Sequence, residues 1–266
     1  MDQIFQLIER GDEAKVWKLV EESAQGSKNI LSKRASIPKS PLTGAPVRLK
    51  STRQTKEWQT STELSLNGAT PLLWAAAFGR TAMVELFLAH GAEVDESDKL
   101  NRTALIWASN LGFLDVVQSL IKHGANIEAE DIKFGSTALI FAASNLYTDV
   151  IKALVAAGAV VDKPNSWQRS ALRVVLKTYE ESPDRLEITE VLLSAGANVS
   201  DAEFLFSEEM LVNNFSTVIL CLHHGATVNE EFLEMARELV GEAKETQLRE
   251  ILKEKVRMLH LLAFLD

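Results

Sequence analysis

Three stretches of the chain carry nearly the same run of apolar and small residues: TPLLWAAAFG (70–79), TALIWASNLG (103–112) and TALIFAASNL (137–146). Each is a short helix that buries its Leu and Ala positions. The leading threonine is placed to cap it, with a hydroxyl able to accept from a free N–H of the first turn. A second apolar block follows at helical spacing. In FLDVVQSLIKH (113–123), Val116, Val117, Leu120 and Ile121 share one side. That helix stops at Gly124, the residue type best able to take a left-handed backbone after a helix. ANIEAEDIKFGS, rich in turn formers, then leads to the next threonine. The unit is helix, turn, helix, loop.

Two markers fix the period. Thr70, Thr103, Thr137 and Ser170 are spaced 33, 34 and 33 residues apart. Gly-Ala pairs begin at Gly91, Gly124, Gly158, Gly196 and Gly225, spaced 33, 34, 38 and 29. Agreement between independent markers means repeated structure. The ends depart from the pattern, as the ends of a stack must when one face has no neighbour. Residues 1–22 hold DQIFQLIERGDEAKVWKLVEE, a helix pair turning at Gly11 and Asp12. Residues 23–66 are an insert, and 67–200 carry four units, the fourth with an enlarged turn, TYEESPDR (178–185). Residues 201–266 read as a shortened unit followed by two closing helices over 230–264.

The units resemble the ankyrin-repeat family, whose pattern is roughly D-x-x-G-x-T-P-L-H-x-A-A followed by a second helix ending in L-L-x-x-G-A. The residues that carry the resemblance are SLNGATPLLWAAAFG (65–79), DKLNRTALIWASNLG (98–112), DIKFGSTALIFAASNL (131–146, with one extra loop residue) and NSWQRSAL (165–172). The chain departs from the pattern at the family's histidine, replaced here by Leu73, Ile106, Ile140 and Arg173, and only the first unit keeps the proline. The resemblance implies an all-α solenoid of paired antiparallel helices joined by short hairpin loops. First helices and loop fingers would line the concave side.

That implied geometry gives meaning to a bulky residue four positions after each threonine: Trp74, Trp107, Phe141 and then Val174. In the family this position faces the groove, while Leu72, Leu105, Leu139 and Leu172 face the core. The rings are therefore expected side by side on the concave face, continued by Phe78, Asn110, Leu111 and Asn145 and by the finger residues Lys99, Leu100, Arg102, Phe134 and Trp167. Exposed aromatic strips on a monomer usually mark a binding surface, and aromatics are frequent hot spots. The competing reading is that neighbouring units, or the insert, bury the rings.

Charge divides the chain. Residues 23–66 carry eight Lys/Arg against Glu57 and Glu63, a net +6 that leaves −15 elsewhere in a chain of net −9. Thirteen of these 44 residues are Ser or Thr. A segment this long between repeat helices is functional or disordered, and its composition favours disorder. Within it KRASIP (33–38) resembles a site phosphorylated at Ser36 by basic-directed kinases and read by 14-3-3-type adaptors, and KSPLTG (39–44) a proline-directed site at Ser40. A phosphate would add about −1.5 to −2 charges. The basic tether could also fold back onto the acidic solenoid as a self-inhibitory segment.

Nothing assembles a catalytic or metal centre, and no cofactor is expected. His90, His123 and His224 precede Gly-Ala pairs, where a histidine favours a helix C-terminus. Cys221, the single cysteine, lies in apolar VILCLHHG and reads as a small buried residue. A chain with one cysteine, no signal-like N-terminus and no long apolar run is expected to be cytoplasmic, or nuclear as well, with no membrane span. Its acidity argues against a specific nucleic-acid partner. The expected function is non-catalytic recognition of another protein or peptide with apolar anchors, suited to basic residues by the acidic surround. The chain would serve as an adaptor, a targeting or regulatory subunit, or an effector delivered by an intracellular bacterium, and as a monomer. The alternative is binding of nucleic acid or an anionic membrane through residues 23–66.

Overall fold

The computed structural model describes residues 3–25, 31, 68–177, 183–199, 211–212 and 214–262. Thirteen helices occur among them and no strand, the only β-type pairing being an isolated bridge between Ser97 and Thr103. The insert, apart from Ser23 to Gln25 and Leu31, lies outside the described residues, and Ser36 and Ser40 lie outside with it.

The chain divides into two compact units, Met1–Ala171 and Leu172–Asp266. In the first, α1 (Gln3–Arg10) and α2 (Glu13–Gln25) form a hairpin, followed by three more: α3 (Pro71–Ala77) with α4 (Thr81–Ala89), α5 (Ala104–Leu111) with α6 (Leu114–Lys122), and α7 (Ala138–Ser144) with α8 (Thr148–Ala156). The first helices α1, α3, α5 and α7 pack in sequence as one row, and the second helices α2, α4, α6 and α8 as another. Each hairpin thus packs on its neighbours. α2 runs on to Gln25, into the stretch the composition assigned to the insert.

The threonines do what their position suggested. The Oγ1 atoms of Thr70, Thr103 and Thr137 accept from the backbone N–H of Leu73, Ile106 and Ile140, respectively, and caps of this kind contribute about 1 kcal/mol each. Pro71 opens α3, where its missing N–H leaves no bond unmade. The core of the unit is apolar: Leu72, Leu105 and Leu139 are buried, with Met83, Phe87, Val117, Leu120, Ile151 and Leu154 behind them. Arg80 ties the N-terminal hairpin to the first repeat, its guanidinium donating to the carbonyls of Ile8 and Glu9 at the end of α1.

The turn of the α5–α6 hairpin is tight enough to dictate its residue. Gly112 has φ +78°, and a Cβ there would lie 2.6 Å from the ring of Tyr147. The equivalent position one unit on is Leu146, which holds φ 55° as a buried side chain. The loops between hairpins impose the same demand two residues before each capping position, at Gly68, Asn101, Gly135 and Gln168, all with positive φ. A non-glycine residue pays about 1–2 kcal/mol for this conformation. Asn101 recovers some of that through its side-chain amide, which donates to the carbonyl of Glu130 at 2.7 Å. Gln168→Gly is therefore expected to raise stability by about 0.5–1 kcal/mol, whereas Asn101→Gly brings no gain. Chemical denaturation of the two variants beside the parent separates these outcomes.

In the second unit α9 (Ala171–Lys177), which begins one residue earlier, leads to α10 (Pro183–Ser194), α11 (Phe215–His223), α12 (Glu230–Val240) and α13 (Glu242–Leu262). α10 packs on α11, α11 on α13, and α12 on α13. Asn229 caps α12, its Oδ1 accepting from Phe232 N–H at 2.9 Å. Arg249 of α13 pairs with Glu245 and, at 3.0 Å, with Glu230 of α12.

Candidate functional site

The ring row does not stand open. Trp74 and Trp107 are each 1% exposed, which corrects the expectation of groove-facing indoles. Each has an identifiable cover. The Trp74 ring lies 5.2 Å from that of Phe5 on α1 and stacks on Phe78 at 5.5 Å, and every residue of α3 is buried. The Trp107 indole turns to its own finger loop, where Nε1 donates to Asp98 Oδ2 at 3.2 Å. The Arg102 guanidinium covers its face at 4.1 Å from the ring centroid. Arg102 and Leu111 are buried as well. What stays half-exposed on the inner row is Phe78, Asn110, Phe141 and Asn145. Asn145 donates to Asn110 Oδ1 at 3.2 Å and to the carbonyl of Phe141 at 2.9 Å, which fixes both amides beside the Phe141 ring.

Exposed apolar side chains of the first unit stand on the finger loops at Ile132 and Trp167, and also at Val160 and at Trp17 on α2. Trp167 is 47% exposed, and Phe134, half-buried, lies 4.9 Å from it between ring centroids. Leu100 is half-buried and Lys99 exposed. Ile132, 68% exposed, and its neighbour Lys133 belong to the same row and were missed in the sequence. They lie in the loop before Thr137, which the 34-residue spacing from Thr103 lengthens by one residue, and that spacing was the available signal.

Each loop is built around an inward carboxylate or amide. Asp98 accepts from the backbone of Leu100 (2.8 Å) and Arg102 (3.0 Å) and pairs with the Arg102 guanidinium at 2.7 Å, both side chains buried. Asp131 accepts from the backbone N–H groups of Lys133, Phe134 and Ser136. Asn165 does the same for Trp167 and Arg169. Backbone bonds then stitch one finger to the next: Ile132 N–H donates to the Leu100 carbonyl at 3.0 Å and Ser166 N–H to the Phe134 carbonyl at 2.8 Å. At the base, Lys163 bridges Glu130 at 2.7 Å and Glu128 at 3.4 Å, and the Glu130 hydrogen bond holds the ammonium above its ordinary value. The tips are fixed before any partner arrives.

Asp131 carries a charge that its counterpart Asn165 lacks. Burial raises its carboxyl above the usual value of 3.8 even though three N–H groups oppose the shift. A carboxyl raised on folding binds its proton more readily in the folded chain, so ionising it loses stability as pH climbs through the interval above 3.8. Asn165 fills the equivalent role without charge. Asp131→Asn should accordingly stay within about 1 kcal/mol of the parent at neutral pH. Its stability relative to the parent should improve as pH rises from below 3.8, read by denaturant midpoints at several pH values.

Other groups singled out in the sequence are structural. His90 and His123 each bond, through Nδ1, a carbonyl one turn back in their own helix, at 2.9 Å. Cys221 is buried, and burial pushes its thiol up to about 12, far from a nucleophile's range. Among the described residues no group of His, Cys, Asp and Glu is arranged to hold a metal ion. No helix among them is long and apolar enough to cross a membrane.

Compared with known families, residues 48–131 match a family model described as ankyrin repeats (3 copies). The comparison with curated proteins found no match.

Proposed function

We propose, from the premise that residues 48–131 are ankyrin repeats, that this chain is a non-catalytic recognition module whose protein partner docks on the finger row around Leu100, Ile132, Phe134 and Trp167 and on the adjoining inner face at Phe141 and Asn145. Such repeats generally mediate protein–protein interaction. The observation that carries the choice of surface is a contrast in exposure between similar rings. Trp74 and Trp107 are sealed by their own neighbours, while Trp167 and Ile132 face solvent on loops already locked to one another. Exposed apolar side chains on a rigid frame lose little entropy when a partner covers them.

An adaptor, targeting or regulatory role follows from binding alone, with the partner setting which. The experiment that tests the reading is site-specific photo-crosslinking. A photoreactive residue at Trp167 should capture partner protein from extract, and the same residue at Lys122, exposed on the outer helix α6, should not. Equal capture at both sites sinks the assignment. The alternative, nucleic acid or an anionic membrane at residues 23–66, would show instead as binding that falls steeply with salt.

A further inference from the structure

We propose that the finger row takes an acidic segment of its partner carrying apolar anchors; this rests on the reading that the fingers are the docking face, and names the chemistry they select. The chain as a whole is acidic, at −9, so its composition alone points to a basic partner. The geometry sets cations beside the exposed rings. Two of the loop acids point inward: Asp98 is taken up by Arg102, Trp107 and the loop backbone, and Asp131 by three backbone N–H groups, both side chains buried. At the base of the row, Glu128 and Glu130 are engaged by Lys163.

The residues left at the tips are apolar and basic. Lys99 and Lys133 are exposed. The Lys133 ammonium sits 4.7 Å above the Phe134 ring, and the Arg169 guanidinium 5.9 Å from the Trp167 ring. Cation and ring thus form one platform, in which a partner carboxylate meets the cation while its apolar neighbour covers the ring. A basic segment arriving there would set like charges together beside the rings. Distance decides between the two signs. At physiological salt, charges more than about 8 Å away are largely screened, so a segment seated on the rings meets chiefly the charges of the fingers themselves, where Lys133 and Arg169 stand beside the rings and Glu130 is engaged by Lys163. The exposed acids Glu93 and Asp95 lie toward the base of the first loop, and the Asp95 carboxylate already accepts from Asn126 N–H.

The test is selection from a random-peptide display library on the immobilised full chain, followed by titration of the enriched peptides against Lys99→Glu/Lys133→Glu and Trp167→Ala. These positions are exposed, and circular dichroism checks that each variant folds. The expected result is peptides that combine Asp or Glu with aromatic or aliphatic residues. Their affinity should fall about tenfold or more on charge reversal and also fall with Trp167→Ala. Basic or neutral peptides that need Trp167 but bind the charge-reversed variant equally well or better would overturn the acidic preference and leave the docking face standing. Peptides indifferent to both variants would overturn both, as would a library yielding no enriched sequence.

Discussion

Asp98→Ala is expected to lower the free energy of unfolding by about 3–5 kcal/mol, the usual consequence of removing one partner from a buried ion pair. The Asp98 side chain serves loop backbone, guanidinium and indole together. Its carboxylate receives the Leu100 and Arg102 backbone N–H groups, the Arg102 guanidinium and the Trp107 indole N–H. Alanine would strip a buried guanidinium of its carboxylate and release the indole from its anchor. The cost lies in the stranded charge, so taking both partners away together should cost less. Asp98→Leu with Arg102→Leu is expected to recover a large part of the loss. Denaturant midpoints for the single and double variants measure this, and a loss below about 1 kcal/mol for Asp98→Ala would mean that the pair contributes no more than a surface bridge.

Trp107→Ala should be as damaging, at about 3–5 kcal/mol, because it empties a filled site between α5 and its loop. Trp167→Ala should change stability by less than about 1 kcal/mol, since nearly half of that side chain already faces solvent. Binding should follow the opposite order in any assay restricted to folded protein: Trp167→Ala weakens it, whereas Trp107→Ala leaves it unchanged. Equal losses of stability in the two variants would contradict the contrast between sealed and open rings. A binding defect measured with Trp107→Ala alone therefore reports on folding rather than on a contact.

The helices were legible in the sequence because period and caps are local. Thr103 and its counterparts mark helix starts, and the Gly-Ala pairs mark helix ends, without knowledge of what packs where. Which way a ring turns is not local. Trp74 is covered by Phe5, 69 positions earlier, and Trp107 by Arg102 and Asp98 of a loop whose shape depends on the left-handed backbone at Asn101. A family register says that a position faces the groove, but a side chain as long as tryptophan can reach out of it to the neighbouring loop. The sign of charge at the fingertips was hidden for a related reason. Asp98 and Asp131 count as negative in any composition, and only the fold shows them turned inward while Lys99 and Lys133 point out.

The most direct test of the account is affinity capture from cell extract, read by mass spectrometry, with three proteins side by side: the parent chain, Ile132→Ala/Trp167→Ala on the fingers, and Lys122→Ala on the outer helix. All three must first show the same melting behaviour. The account predicts a set of proteins lost from the finger variant alone and retained by the outer-helix variant. The same proteins captured by all three would contradict it and move recognition away from the finger row.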